Sequence, residues 1–451
     1  RAGYTIGELF HLSRSSVPAQ RRLALATLAT ALGQTRRGRH VHNLAPVSSP
    51  SLIWGLLSSS RDPVEGDGPG SGGGKGGVAF LLRWCLDESV SSLTSVGAVS
   101  AGADISISGH AGGASLGLTV ECIRGLANLL CDADGETYLN TTREWPLQMA
   151  TKQHLFLAPP TLQRKVPSKI PGVLQLTKAR TEEEPDHSEA MALDPVLFLF
   201  TQGQLGQRLA WLLSDEKGNL RTKLPPDAVG LWLPALLIRA VRHSPALAYR
   251  VFSIPNLFRT LLDHYLPVCY GNDSTSASAV RPTCLSQATG IPFAAVMLLC
   301  RLTMLTSTSI RLAMINDLRL IERCCSYLIP SEAEVVQDRN HLSEQWSPFS
   351  RLPPALPLKL AAQVHIEALR CLSTCLVPAS DAEPIPLYAL NCIWSTLPIL
   401  CATLNRIADA YFEHFGTPTQ PHTEDVLILP QLLVSWISFL TQAFESFVLG
   451  S

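Results

Sequence analysis

Charge is scarce in this chain. Charged residues fill 16% of its 451 positions, against roughly 25% in an ordinary soluble domain. Apolar residues fill 46%, enough for a full core. Some of the surface left outside that core is expected to meet a partner. An excess of either sign is also lacking. Thirty-six Lys and Arg stand against 37 Asp and Glu, a formal net charge of -1. Nucleic-acid affinity rests on a basic surplus, so no direct nucleic-acid partner is expected. The basic run Arg36, Arg37, Arg39, His40 and His42 is short and lies in a segment that reads as a solvated loop.

Paired cysteine motifs are missing too. Twelve cysteines are scattered without a CxxC pair and without Cys/His zinc spacing. Cys324 and Cys325 are adjacent, a poor geometry for a mutual disulfide. Cys371 and Cys375 are four apart in an apolar run and share one helix face. These patterns point to free buried thiols acting as small hydrophobes, as in a reducing compartment. No metal or cofactor is expected. Asn140-Thr141-Thr142 and Asn272-Asp273-Ser274 match the glycosylation sequon, a pattern short enough to recur by chance.

Catalytic signatures fail on inspection. Gly70 to Gly76 (GSGGGKG) has a phosphate-loop flavour. Pro69 stands where the first glycine belongs, and Gly76 where Ser or Thr would hold magnesium. Gly113-Ala114-Ser115-Leu116-Gly117 matches the G-x-S-x-G elbow. That elbow works only at a strand-to-helix turn on a parallel sheet, and no sheet is predicted. His40 and His42 lack a third ligand nearby. The expected protein is not an enzyme.

Strand signals are nearly absent, and long apolar segments with helical spacing dominate. Helices are predicted at about 17–32, 50–59, 78–91, 118–131, 193–214, 227–242, 245–266, 291–306, 308–329, 356–376, 385–414 and 426–448. Leu25, Leu28, Ala29 and Leu32 line one face of the first. Ser16 is placed to cap it and Pro18 suits its first turn. A single core stops growing near roughly 250–300 residues, so several units or an elongated array are expected. The predicted fold is all-α, an armadillo- or HEAT-like irregular α-solenoid with loop insertions. No strict sequence period is visible, so its repeats would be degenerate.

The expected organisation is an opening block at 1–60, a Gly-rich linker at 61–77 and a helical region at 78–158 with an insertion at 93–117. A charged loop at 159–192, a helical region at 193–270, a Ser/Thr-rich loop at 271–290 and a C-terminal helical region at 291–451 follow. The stretches 61–77, 159–189 and 271–290 have compositions that bury too little apolar surface to offset ordering. Ile385 to Asn405 and Val426 to Phe444 carry no charge and approach the ~20 residues that cross a bilayer. Pro386, Asn391 and Pro398 interrupt the first; Pro430, Gln431 and Gln442 interrupt the second. Neither has one-sided basic flanks. They are read as helices buried between neighbours, with no membrane partner. The chain starts at Arg1 rather than Met and is read as a piece of a longer protein, so the lack of a leader decides nothing.

One region stands out for charge. Arg239, Arg242 and His243 fall near a helix end, where cations complement the macrodipole, and Arg250 and Arg259 continue a cationic edge. They read as capping groups or as a groove for an acidic peptide.

The opening block Gly3-Tyr4-Thr5-Ile6-Gly7-Glu8-Leu9-Phe10-His11-Leu12-Ser13-Arg14-Ser15, with the Pro18-started helix through Leu32, resembles the C-terminal conserved region of the RNA polymerase II-associated protein 1 family. Val78 to Glu88 resembles the following family helix. Leu236 to Pro267, with Ile238-Arg239-Ala240-Val241-Arg242-His243-Ser244, is similar as well, and a weaker likeness runs through Leu356 to Asn405. The family's N-terminal region and further blocks are absent. The resemblance implies a non-catalytic helical adaptor that links RNA polymerase II to chaperone and assembly factors and moves between nucleus and cytoplasm. It implies no catalytic residues. The candidate partner-binding residues are Arg14, Arg239, Arg242, His243 and Arg250. Alternatives are a karyopherin-like transport receptor, a polytopic membrane protein and a serine hydrolase using Ser115.

Overall fold

The computed structural model describes residues 4, 6–36, 77–99, 108–131, 194–213, 232–266, 291–328, 358–377, 387–416 and 428–450. Among them are fifteen α-helices and no strand. The all-α expectation holds. The predicted helix at 50–59, and nearly all of the three loop stretches at 61–77, 159–189 and 271–290, lie outside the described residues.

By their contacts the residues fall into two compact units. The first runs through Leu212 and adds Leu233–His243. The second holds Ser244 onward.

The first unit is built on α1 (Ile6–Ser13), α2 (Pro18–Arg36), α3 (Val78–Val99) and α4 (Ser108–Leu130). α4 packs on both α2 and α3, and α1 packs on α2 and α3. The predicted α2 face is buried, with Leu25, Leu28, Ala29 and Leu32 joined by Ala24. Pro18 begins the helix as expected, and just before it the Ser15 hydroxyl accepts from the Val17 N–H at 3.1 Å. α4 approaches α3 closely because Gly125 has no side chain; a Cβ there would come within 2.9 Å of Leu82. Arg124 and Asn128 of α4 donate to the Ala26 and Ala29 carbonyls of α2 at 2.9 Å each.

The Ser/Gly/Ala-rich insertion expected at 93–117 needs correction. α3 continues to Val99 and α4 begins at Ser108. Packing of the later half of α4 extends the helix into residues of weak intrinsic preference, since most helical stability in proteins is tertiary. The G-x-S-x-G motif therefore lies inside a helix and makes no elbow.

Three predicted helices each divide in two, and each division has the same form. The segment 193–214 becomes α5 (Pro195–Thr201) and α6 (Leu205–Leu213). The helix α7 (Leu233–His243) then completes the first unit and packs on α4 and α5. In the second unit, 245–266 becomes α8 (Pro245–Phe252) and α9 (Leu257–Tyr265). After α10 (Ile291–Met304), 308–329 becomes α11 (Thr308–Asn316) and α12 (Leu320–Leu328). At each break the residue before the second helix has positive φ: Gln204 at 49°, Asn256 at 59° and Arg319 at 51°. A buried leucine follows every time, namely Leu205, Leu257 and Leu320. A left-handed backbone costs a non-glycine residue on the order of 1 kcal/mol. Burying the next leucine offsets that by roughly 2 kcal/mol.

The second unit centres on α13 (Leu358–Leu376). Nine consecutive residues, Ala361 to Leu369, are buried, so this helix is enclosed on all sides. It packs on α10, α12, α14 (Leu387–Gly416) and α15 (Ile428–Gly450). Its buried Glu367 meets Arg301 at 3.3 Å and Arg370 at 2.8 Å. Burial pulls the His365 imidazole down to about 3. Arg323 and Tyr327, one turn apart on α12, close the end of α9. Arg323 donates to the Leu266 carbonyl at 2.7 Å and Tyr327 to the Tyr265 carbonyl at 2.7 Å. Carbonyls at a helix end lack intrahelical partners, so these two side chains stitch α9 to α12.

No disulfide is found among the ten described cysteines, and eight of them are buried. Among the described residues no helix is long and apolar enough to cross a membrane. None of their His, Cys, Asp and Glu side chains group in a way that could hold a metal ion.

Candidate functional site

The helix α3 carries two stripes. Val78, Leu81, Leu82, Cys85, Leu86 and Ser89 face the core. Phe80, Arg83, Trp84 and Asp87 follow the spacing i, i+3, i+4, i+7 on another face. That second stripe forms one wall of a groove of about 420 Å³. The other wall is Phe198 and Leu199 of α5 and the Gln202–Gly203–Gln204 turn into α6. Phe80 and Phe198 meet across it with ring centroids 5.7 Å apart.

Gly203 fixes the turn. A Cβ there would lie 2.8 Å from the Leu199 carbonyl oxygen and 3.0 Å from its Cα, so only glycine lets the chain fold back this tightly. The Gln202 and Gly203 amides both donate to the Phe198 carbonyl, at 2.9 and 3.0 Å. The Gly203 carbonyl accepts Arg83 Nε at 2.8 Å and Nη2 at 2.6 Å. Arg83 thereby ties α3 to the turn while its Nη1 pairs with Asp87.

Asp87 serves a second cation, Arg208 of α6, at 2.9 Å. At the next position on α3, Glu88 pairs with Arg21 of α2 through both guanidinium ends. The same guanidinium lies over the Trp84 ring, 5.7 Å from its centroid. Trp84 is 49% exposed, so a large aromatic is held at the surface in a fixed position.

The sequence-predicted residues fall elsewhere. Arg14 follows α1 and is exposed; its amide donates to the His11 carbonyl at 3.1 Å. Arg239, Arg242 and His243 lie on α7. His243 Nε2 pairs with Asp194 Oδ2 at 2.8 Å, and Asp194 also caps α5 by accepting from the Leu197 N–H at 2.9 Å. Burial works against the Asp194 carboxylate. The His243 hydrogen bond, the Leu197 amide and the charge of Arg239 nevertheless hold it below its ordinary value. Asp194 thus ties α5, a wall of the groove, to the end of α7. Arg250 belongs to the other unit and is exposed on α8. The structure therefore pairs His243 with Asp194, the cap of α5, and brings none of the five residues into the groove lining. The signal for the groove was present in part: the Phe80, Arg83, Trp84 and Asp87 spacing is legible along the chain. Its far wall comes from residues more than a hundred positions later.

Comparison with known proteins bears on this region directly. The family model described as "RPAP1-like, C-terminal" matches residues 1–36, which hold α1 and α2 and the Arg21 that braces Trp84. RNA polymerase II-associated protein 1 of Homo sapiens is 26% identical over 445 residues, 98% of this chain. The protein of the same name from Bos taurus is 26% identical over 370 residues, 82% of the chain. The Rattus norvegicus protein is 25% identical over 443 residues, 98% of the chain. The resemblance read from the opening block holds. The chain spans about a quarter of the length of these relatives, 25%, 21% and 25% respectively. No solved structure matches.

Proposed function

We propose that this chain is the helical docking part of a non-catalytic scaffold that binds RNA polymerase II. The single observation that carries the reading is similarity along 98% of the chain to proteins named RNA polymerase II-associated protein 1. In this reading the scaffold links the polymerase to chaperone and assembly factors. It supports polymerase assembly, nuclear import and transcription, and it works in nucleus and cytoplasm. Binding is by surface complementarity, with a few anchor side chains carrying most of the affinity. The groove beside Trp84 supplies such an anchor.

The reading extends to an irregular α-solenoid. The support is the recurring unit of a short helix, a left-handed residue, a buried leucine and a nine-residue helix. Repetition of one supersecondary unit is what such arrays are built from.

The test is affinity purification of the tagged chain from nuclear and cytoplasmic extracts, with quantitative mass spectrometry. Polymerase II subunits are expected to be enriched in both. Their absence, while full-length protein enriches them in parallel, overturns the assignment of polymerase binding to this part.

A further inference from the structure

We infer that the groove between α3 and the α5–α6 turn is a docking site for an acidic peptide segment of a partner protein, one that carries an aromatic or large apolar side chain. The inference rests on the chemistry of the groove and stands whether or not the partner is the polymerase.

The apolar half of the recognition is Trp84, with Phe80 and Phe198 behind it. Trp84 is fixed before any partner arrives, since Arg21 lies over its ring and is itself held by Glu88. A side chain already ordered loses little freedom on binding, which raises affinity. The volume of about 420 Å³ lies within the range of sites that take a side chain or small ligand. The site is a groove rather than a closed cavity, so a chain can pass through with one residue seated.

The polar half is set by charge. Three guanidiniums, Arg21, Arg83 and Arg208, meet two carboxylates, Asp87 and Glu88. Glu88 is taken by Arg21. Asp87 is shared by Arg83 and Arg208, so one positive charge is left over. Arg83 has Nε and Nη2 on the Gly203 carbonyl and Nη1 on Asp87. The surplus therefore falls on Arg208, whose side chain is 43% exposed. A carboxylate from outside answers it; a lysine is repelled. Sign thus selects the partner, and the aromatic wall supplies the contact area.

Fluorescence anisotropy of two labelled hexapeptides on the full chain tests this. One places Leu-Phe between two aspartates and the other places it between two lysines. The acidic peptide is expected to bind and the basic one to fail. Trp84→Ala and Arg208→Glu are each expected to weaken the acidic peptide by about tenfold or more, the change that follows loss of a central anchor. Arg208→Glu should also turn the preference toward the lysine peptide. Both side chains are exposed, and an unchanged circular dichroism spectrum shows that the fold is kept. Failure of the acidic peptide to bind, equal binding of both peptides, or wild-type binding by both variants overturns the proposal.

Discussion

Trp84 in the first unit and Trp394 in the second are exposed to nearly the same extent, 49% and 44%. Their surroundings differ. Trp84 stands among Arg21, Arg83, Asp87 and Glu88. Trp394 packs edge-on against Phe444 at 6.3 Å, on helices whose outward faces also expose Ile399, Val434 and Ile437. α15 holds a single charged residue, Glu445. Both surfaces have aromatic area, and the first also has ordered ion pairs around it. Area alone gives attraction without direction; ordered charge gives register and partner choice. That is why the groove on α3 yields a statement about what binds, and the face on α14 and α15 does not.

The largest expected effect sharpens this contrast by adding a third tryptophan. Trp436 of α15 is fully buried. Trp436→Ala is expected to cost about 3–5 kcal/mol in a urea unfolding experiment, as for other buried aromatic truncations. Trp84→Ala should cost less than ~1 kcal/mol, because little volume is lost from the core and its role lies in docking. Equal losses would erase the distinction between core and surface tryptophans.

A second prediction sets the buried polar core of the second unit against the paired surface charges of the first. The His365 pKa is about 3 in the folded chain, whereas the unfolded residue titrates near ~6.5. Between those values the unfolded state binds a proton that the folded state excludes. Stability therefore falls as pH drops below about 6.5, by at most ~1.4 kcal/mol per pH unit, and the loss ends near the folded pKa. Thermal melts from pH 7 to pH 5 should show the decline, and His365→Leu should flatten it. An unchanged slope in the variant would assign the acid sensitivity to another group.

The smallest effect concerns the tie beneath the groove. Asp194→Ala removes a helix cap and the partner of His243, at about 1 kcal/mol. The Asp194 carboxylate is held low in the folded chain, so its contribution is present above the unfolded value near ~3.9. It is lost as pH falls through the lower folded value. Wild type and variant should thus converge in stability in strong acid. A gap that persists at pH 2 would mean the cap works through contacts other than charge.

Much of the fold was legible along the chain. The face of α2, the absence of strands among the described residues and the extent of α14 and α15 follow from apolar spacing, a local property. Ser/Gly/Ala-rich sequence misled at 108–117, because propensity was read without the packing that outweighs it. The three helix breaks were missed for another reason. Gly203 beside Gln204, and Pro255 with Asn256, are breaker signals that the apolar runs around them outweighed in the reading, while nothing beside Arg319 marks a turn. The candidate site was half legible: cations at the end of α7 were seen, but Asp194, which pairs with His243, sits nearly fifty residues earlier, and the groove needed α5 and α6 to return to α3.

By itself the sequence determined an all-helical chain with many buried thiols, since periodicity, composition and cysteine spacing act within a few residues of one another. Only the tertiary structure decided where the helices turn and which tryptophan is left at the surface beside a surplus guanidinium. Those outcomes depend on side chains such as Arg83 reaching the Gly203 carbonyl across 120 positions, a contact no local pattern encodes.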